Sequence, residues 1–334
     1  MKIDATVLEQ ITFGAVRLNE TSDGVTFDRF TAEGKAHYKA HRNKTFYAKS
    51  LCPAGVTLRF RTDSKTLGLS VKTEEGTSRF FFSTDVLVNG KYLDSIKNFE
   101  DTQMPPVYSK IEAPLGDFAK TFALGEGEKD VCIHLPWSVR CTLREMTLDD
   151  GASVLPLPYG RRALVFGDSI TQGYDAKYTF RRYAGHLCAS LDAEEHNLAI
   201  GGEKFCPDLA ACDLPFRPDL ITVAYGTNDW TVNDPERLYK NAKAFFEVLA
   251  AKYPGVPLFA ITPLWRADGG TDRTIPFPAV ADYIAECVKD NPAARVIRGG
   301  KILPPDTSLY ADGRLHPNDD GFDRYYNYLK KEIR

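Results

Sequence analysis

Four short apolar runs set the character of the second half of the chain: "ALVFG" at 163–167, "LITVAYG" at 220–226, "VPLFAIT" at 256–262 and "ARVIRG" at 294–299. None keeps a strict polar/apolar alternation, so each presents apolar side chains on both faces and must be covered on both, as the strands of a parallel sheet are. The segments between them have room for the helical crossovers that parallel strands require. The clearest is "DPERLYKNAKAFFEVLAAKYPG". Asp234 suits its N-cap, Pro235 the first helical position and Pro254-Gly255 the stop. Leu238, Ala242, Phe245 and Leu249 recur at helical spacing and form a stripe for the sheet. This half is expected to be a three-layer α/β/α domain.

Residues 20 to 150 have another rhythm. "GVTLRFRTDS", "KTLGLSVKTE", "SRFFFSTDVLVNG", "KDVCIHLPWS" and "CTLREMTLDD" are β-type runs separated by turn signals such as Asn89-Gly90. In "TLRFRT" and "LGLSVKT" apolar and polar residues alternate, which marks strands with one wet face. No helix-length amphipathic pattern intervenes, so this half is expected to be all-β, a jelly-roll-like antiparallel sandwich. The proline-containing "ASVLPLPYGRR" reads as a linker and divides the chain into a sandwich at 1–155 and an α/β domain at 156–334. A chain of 334 residues is long for a single core.

The charge pattern excludes some classes of function. A formal net charge of -3, with both signs interspersed, gives neither a nucleic-acid footprint nor a polybasic membrane patch. The N-terminal "MKIDATVLEQITFGAV" contains no apolar stretch of signal-peptide length and no later run reaches a membrane span, so a cytoplasmic protein is expected. Seven scattered cysteines lack zinc-site spacing and read as reduced thiols; Cys206 and Cys212 lie six apart but have no further ligand in view.

In an open parallel sheet, ligands gather beyond the carboxyl ends of the strands, where helix N-termini present free N–H groups. "GDSITQG" follows the first apolar run directly, which places the Ser169 hydroxyl in that crevice, either as a nucleophile or as a helix cap. Another strand, "EEHNLAI", ends in Gly201-Gly202, where the Gly202 N–H can donate to an oxyanion or simply make a turn. "GTND" brings the Asn228 amide, a second neutral donor, whose bland alternative is an Asx turn. Near the C-terminus, "ADGRLHPN" fixes His316 in a non-helical turn before Pro317, where it can act as general base with Asp312 orienting the ring. Serine, two donors and histidine at strand ends or loops on one side of one sheet are a conjunction that unrelated caps have no reason to make. "GDSITQG" matches neither a Walker loop nor Gly-x-Gly-x-x-Gly, which argues against a nucleotide site.

Taken together, "GDSITQG", the glycine of "AIGGE", "GTND" and the terminal Asp with "HPN" resemble, in order, the four blocks of the SGNH hydrolases, the GDSL esterase and lipase family. The resemblance implies Ser169 as nucleophile and oxyanion donors from the Ser169 backbone, Gly202 and Asn228. It further implies His316 as base, Asp312 as third triad member, a flavodoxin-like sheet, and no metal or organic cofactor. One departure is that "DGRLH" puts an extra residue between Asp312 and His316; a backbone carbonyl or Asp319 are the alternatives for orienting the ring. An N-terminal sandwich before such a domain is similar to the layout of some carbohydrate esterases and related acyltransferases.

These readings lead to a serine esterase that removes short acyl groups, acetyl foremost, from sugars or similar polyols. Asp168, Tyr174, Tyr225, Trp230 and Trp265 are the candidate substrate-binding residues, because flat aromatic faces near a crevice suit sugar stacking. The alternatives are an acyltransferase, a lipase or thioesterase on the same residues, and a non-catalytic carbohydrate-binding protein. A small-molecule or oligosaccharide ester is the expected partner, with no nucleic acid and no membrane.

Overall fold

The computed structural model describes residues 1–41, 43–100 and 113–334. Two antiparallel sheets make up the N-terminal domain. One runs β1 (Thr12–Phe13), β4 (Thr57–Thr62), β9 (Lys129–His134), β6 (Ser83–Val88) and β7 (Lys91–Lys97), with β11 (Leu155–Pro156) also paired to β4. The other runs β2 (Arg17–Thr21), β3 (Gly24–Asp28), β10 (Arg140–Leu148), β5 (Thr66–Glu74) and β8 (Gly116–Ala123). Alternation does here what it predicts. Leu67, Leu69 and Val71 of β5 point inward and share one core with Leu58, Phe60, Val131 and Ile133 of the facing sheet, while Gly68, Ser70 and Lys72 between them stay partly exposed. Asn89 and Gly90 both adopt positive φ, at 50° and 74°, as the tight hairpin between β6 and β7 requires.

The expectation of an all-β first half is corrected by its helices, α1 (Ala5–Ile11), α2 (Ala32–His41) and α3 (Lys44–Ser50). The last two form an insert between β3 and β4 that carries no apolar stripe of its own. It is anchored instead by single rings: Tyr38 is fully buried against Phe30 and Phe46, and Phe30 and Tyr38 belong to the core of the C-terminal half. Arg29 ties this insert down. Its buried guanidinium donates to the carbonyls of Lys49 and Cys52 on one side and of Asn197 and Ala199 on the other, at 2.7–3.0 Å.

The C-terminal half is a five-stranded sheet in the order β13 (Ala193–Asn197), β12 (Arg161–Gly167), β14 (Leu220–Ala224), β15 (Leu258–Ile261) and β16 (Ala294–Ile297), with every pairing parallel. Helices cover both faces. α8 (Pro235–Lys252) and α9 (Val280–Val288) bury one, α5 (Tyr183–Ser190) and α10 (Asp319–Glu332) the other. The Asp234 side chain caps α8 by accepting from the Arg237 N–H, and Leu238, Ala242, Phe245 and Leu249 are buried as their spacing predicts. Because β12 has β13 on one side and β14 on the other, the strand order reverses at β12, and a crevice opens at its carboxyl end. Among the described residues no helix is long and apolar enough to cross a membrane.

Candidate active site

Ser169 opens a single helical turn, α4 (Ser169–Gln172), at the end of β12. The cap of that turn is Asp168, whose side chain accepts from the Ile170 N–H at 3.0 Å. Burial pushes the Asp168 carboxyl up to about 6 against that hydrogen bond. With the capping role taken by its neighbour, the Ser169 hydroxyl meets His316 Nε2 at 2.9 Å.

On the other side of the ring, His316 Nδ1 lies 2.8 Å from Asp312 Oδ2. The extra residue in "DGRLH" is absorbed by a tight turn built around the carboxylate itself: Asp312 Oδ1 accepts from the N–H groups of Arg314, Leu315 and His316 at 2.7–3.1 Å. Gly313 takes a φ of +64° to close it. Burial works to raise the Asp312 carboxyl, but His316 and these N–H donors outweigh it and hold it well below the usual carboxylate range. Asp319, the sequence alternative, sits elsewhere, accepting from the Lys177 N–H and pairing with Arg181. An imidazole with one nitrogen on a hydroxyl and the other on a carboxylate can take the hydroxyl proton as the oxygen attacks an acyl carbon.

Two further donors are tied to each other. Gly202, at φ +89°, turns away from the end of β13, and the Asn228 side chain, in α7 (Thr227–Val232), donates from Nδ2 to the Glu203 carbonyl at 3.1 Å. That bond fixes the amide plane beside the glycine turn and leaves its second hydrogen for another acceptor. The N–H of Ser169, at the first position of α4, has no partner within the helix.

Sequence reasoning missed what the sandwich contributes. Arg79, in the loop after β5, grips Asp175 with Nε to Oδ1 at 2.6 Å and Nη2 to Oδ2 at 3.0 Å. Asp175 is completely buried, adopts a φ of +69°, and stands 3.6 Å from His316 Nδ1. Trp137, in the loop after β9, accepts from Gln172 Nε2 at 3.1 Å and donates to the Ala176 carbonyl at 3.0 Å. The segment that follows Ser169 is thus held from the other domain. Only the unusual backbone of Asp175, invisible in sequence, would have signalled it.

Of the residues expected to stack on a sugar, most are packing elements. Tyr225 and Trp230 lie in the core, Tyr225 against Phe205 and Phe245, Trp230 with its Nε1 donating to the Ile275 carbonyl and its ring against Phe277. Tyr174 is also buried, wedged between the His316 and Trp137 rings with Arg79 at 5.1 Å, and Asp168 is spent on its cap. All four side chains are thus buried and engaged in packing or capping contacts. Trp265 alone is partly exposed, tilted against Tyr310.

Two clusters among the described residues have imidazole, thiol or carboxylate atoms within 4.8 Å of one another. Asp175, Asp312 and His316 are the network above, already engaged by Arg79 and Ser169. His37, Cys206 and Asp208 form the other, with His37 Nε2 at 3.5 Å from Cys206 Sγ, partners that sequence spacing could not bring together.

Residues 165–324 match the model of the GDSL-like lipase/acylhydrolase family. No curated protein matches the chain. Among solved structures the fold is similar to a salicylyl-acyltransferase from a tetracycline biosynthetic pathway, with TM-score 0.78 and 20% identity over 96% of this chain and 93% of that one. It is similar to a protein described as a GDSL-like lipase from Bacteroides ovatus, with TM-score 0.76 and 20% identity over 100% and 96%. A family two carbohydrate esterase from Clostridium thermocellum, solved with cellohexaose, follows at TM-score 0.63 and 15% identity over 84% and 92%.

Proposed function

Residues 165–324 are a GDSL-like lipase/acylhydrolase domain, and on that premise we propose that the protein is a serine esterase that releases a short acyl group, acetyl foremost, from a sugar or similar polyol. The observation that carries the reading is the unbroken chain from Ser169 Oγ through His316 to Asp312, at 2.9 and 2.8 Å.

In this mechanism Ser169 Oγ attacks the ester carbonyl while His316 Nε2 takes its proton, and Asp312 holds the ring in the tautomer that leaves Nε2 free to accept. The carbonyl oxygen becomes an oxyanion facing the N–H groups of Ser169 and Gly202 and the Asn228 amide. Collapse expels the alcohol, which receives the proton from His316, and leaves an acyl-serine. Water then attacks with His316 again as base, and the acid and free serine are regenerated.

The sugar ester is drawn from the likeness of the fold to the family two carbohydrate esterase solved with cellohexaose, and the short acyl group is the part of the reading that acyl chain length tests. Rates on nitrophenyl acetate, butyrate and octanoate, wild type against Ser169→Ala, test this. Ser169-dependent rates that fall steeply with chain length support it, and a preference for octanoate contradicts it.

A further inference from the structure

The Gly202 N–H belongs to the same peptide unit as the Gly201 carbonyl, and in a trans peptide the two point in opposite directions. Whatever grips that carbonyl from behind therefore aims the N–H forward. The grip comes from outside the hydrolase domain: Lys49, in the helical insert of the N-terminal domain, donates from Nζ to the Gly201 oxygen at 2.6 Å. A bond of that length to an ammonium is charge-assisted, and it draws electron density toward the carbonyl, which makes the N–H of the same unit more acidic.

The rest of the turn is pinned at neighbouring atoms. Gly201 N–H donates to Gln172 Oε1 at 2.8 Å, and Arg29 holds the Ala199 carbonyl at 2.8 Å. The Gly201–Gly202 peptide is the central unit of a turn closed by the Glu203 N–H donating to the Ile200 carbonyl at 2.9 Å, and with a glycine at φ +89° that unit can flip unless it is held. Lys49 is partly buried, with its Nζ over the Phe46 ring at 4.8 Å from the centroid and Glu203 as its nearby counter-charge; burial lowers its amine.

We infer that Lys49 is a positioning residue of the oxyanion site, its ammonium orienting and polarising the Gly201–Gly202 peptide so that the Gly202 N–H faces the developing negative charge. This inference rests on the esterase reading above. It gives the N-terminal domain a part in the chemistry, because the insert that carries Lys49 is the one Arg29 clamps to the ends of the parallel sheet.

The test compares wild type, Lys49→Met, Lys49→Arg and Ser169→Ala on nitrophenyl acetate, at a temperature where circular dichroism shows each folded, together with inhibition by an alkyl trifluoromethyl ketone. That ketone adds to the serine and places an oxyanion in the same site. Lys49→Met is expected to lose about 10- to 100-fold in kcat/KM, less than loss of a direct donor, and to bind the ketone more weakly by a similar factor. Lys49→Arg, which keeps a cation on a long stem, is expected to recover most of both. A folded Lys49→Met within two-fold of wild type, a loss of rate with unchanged ketone affinity, or a Lys49→Arg as impaired as Lys49→Met overturns the inference. If Lys49→Met does not fold, the rate and ketone affinity of Lys49→Arg decide. Should Ser169→Ala turn over as fast as wild type, the esterase reading itself has failed; a dead Ser169→Ala beside an unimpaired Lys49→Met removes only the role of Lys49.

Discussion

Arg79 and Asp175 form a bidentate ion pair across the two domains, 2.6 and 3.0 Å long, behind the ring of His316. Both partners are buried, so removing one strands the other's charge at a cost of about 3–5 kcal/mol. Arg79→Met and Asp175→Asn are each expected to lower stability by about that amount in urea melts at pH 7, and the double variant by clearly less than the two losses added; additive losses contradict a coupled pair.

Asp312→Asn keeps the shape of the turn but offers an amide to His316 Nδ1. The wrong tautomer then faces Ser169, and kcat is expected to fall by about 10⁴. Because the Asp312 carboxyl is held below its unfolded value, the stability it contributes is present above an unfolded pKa of about 4 and is lost only as pH falls further. Wild type should therefore show no loss attributable to Asp312 at pH 5, and urea melts of wild type and Asp312→Asn compared between pH 5 and 3 check the sign.

Asp229 works in the opposite sense. It is buried, its Oδ1 accepts from the Phe205 N–H at 3.2 Å, and its Oδ2 has no hydrogen-bond partner among the described residues. Burial pushes its pKa up to about 7. A raised acid favours the protonated fold, so its destabilising effect starts above the unfolded pKa near 4 and is complete above about 7. Asp229→Asn is expected to raise Tm by several degrees at pH 8 and by much less at pH 5, by calorimetry.

Trp265 and Trp230 separate surface from core. Trp265→Ala is expected to raise KM several-fold for an acetylated oligosaccharide while leaving nitrophenyl acetate almost unchanged. Trp230→Phe removes the hydrogen bond to the Ile275 carbonyl and part of a packed ring, and is expected to lower stability by about 1–3 kcal/mol without changing the ratio of the two KM values.

What could be read from sequence were features whose cause is local. The parallel strands show as runs with two apolar faces, α8 as a capped amphipathic stripe, and Ser169, Gly202, Asn228 and His316 as candidate residues in loops or turns after strands. Burial was less legible: Tyr225 and Trp230 follow the ends of strands just as a crevice residue would, and nothing in their spacing says which way the rings turn. Contacts that join distant segments left no local mark. Arg79 and Asp175 are 96 residues apart, Lys49 and Gly201 152 apart. The insert at α2 and α3 escaped because Tyr38 buries itself against another domain's core rather than against a stripe of its own helix.

The central claim is that Ser169 carries the acyl group between two halves of a reaction. Rapid mixing with nitrophenyl acetate, acid quench and peptide mass spectrometry test it most directly. The account predicts an acetyl adduct on the peptide containing Ser169, accumulating faster than free acetate at early times and absent from Ser169→Ala. Turnover that persists in Ser169→Ala, or an adduct on a different side chain, would contradict it.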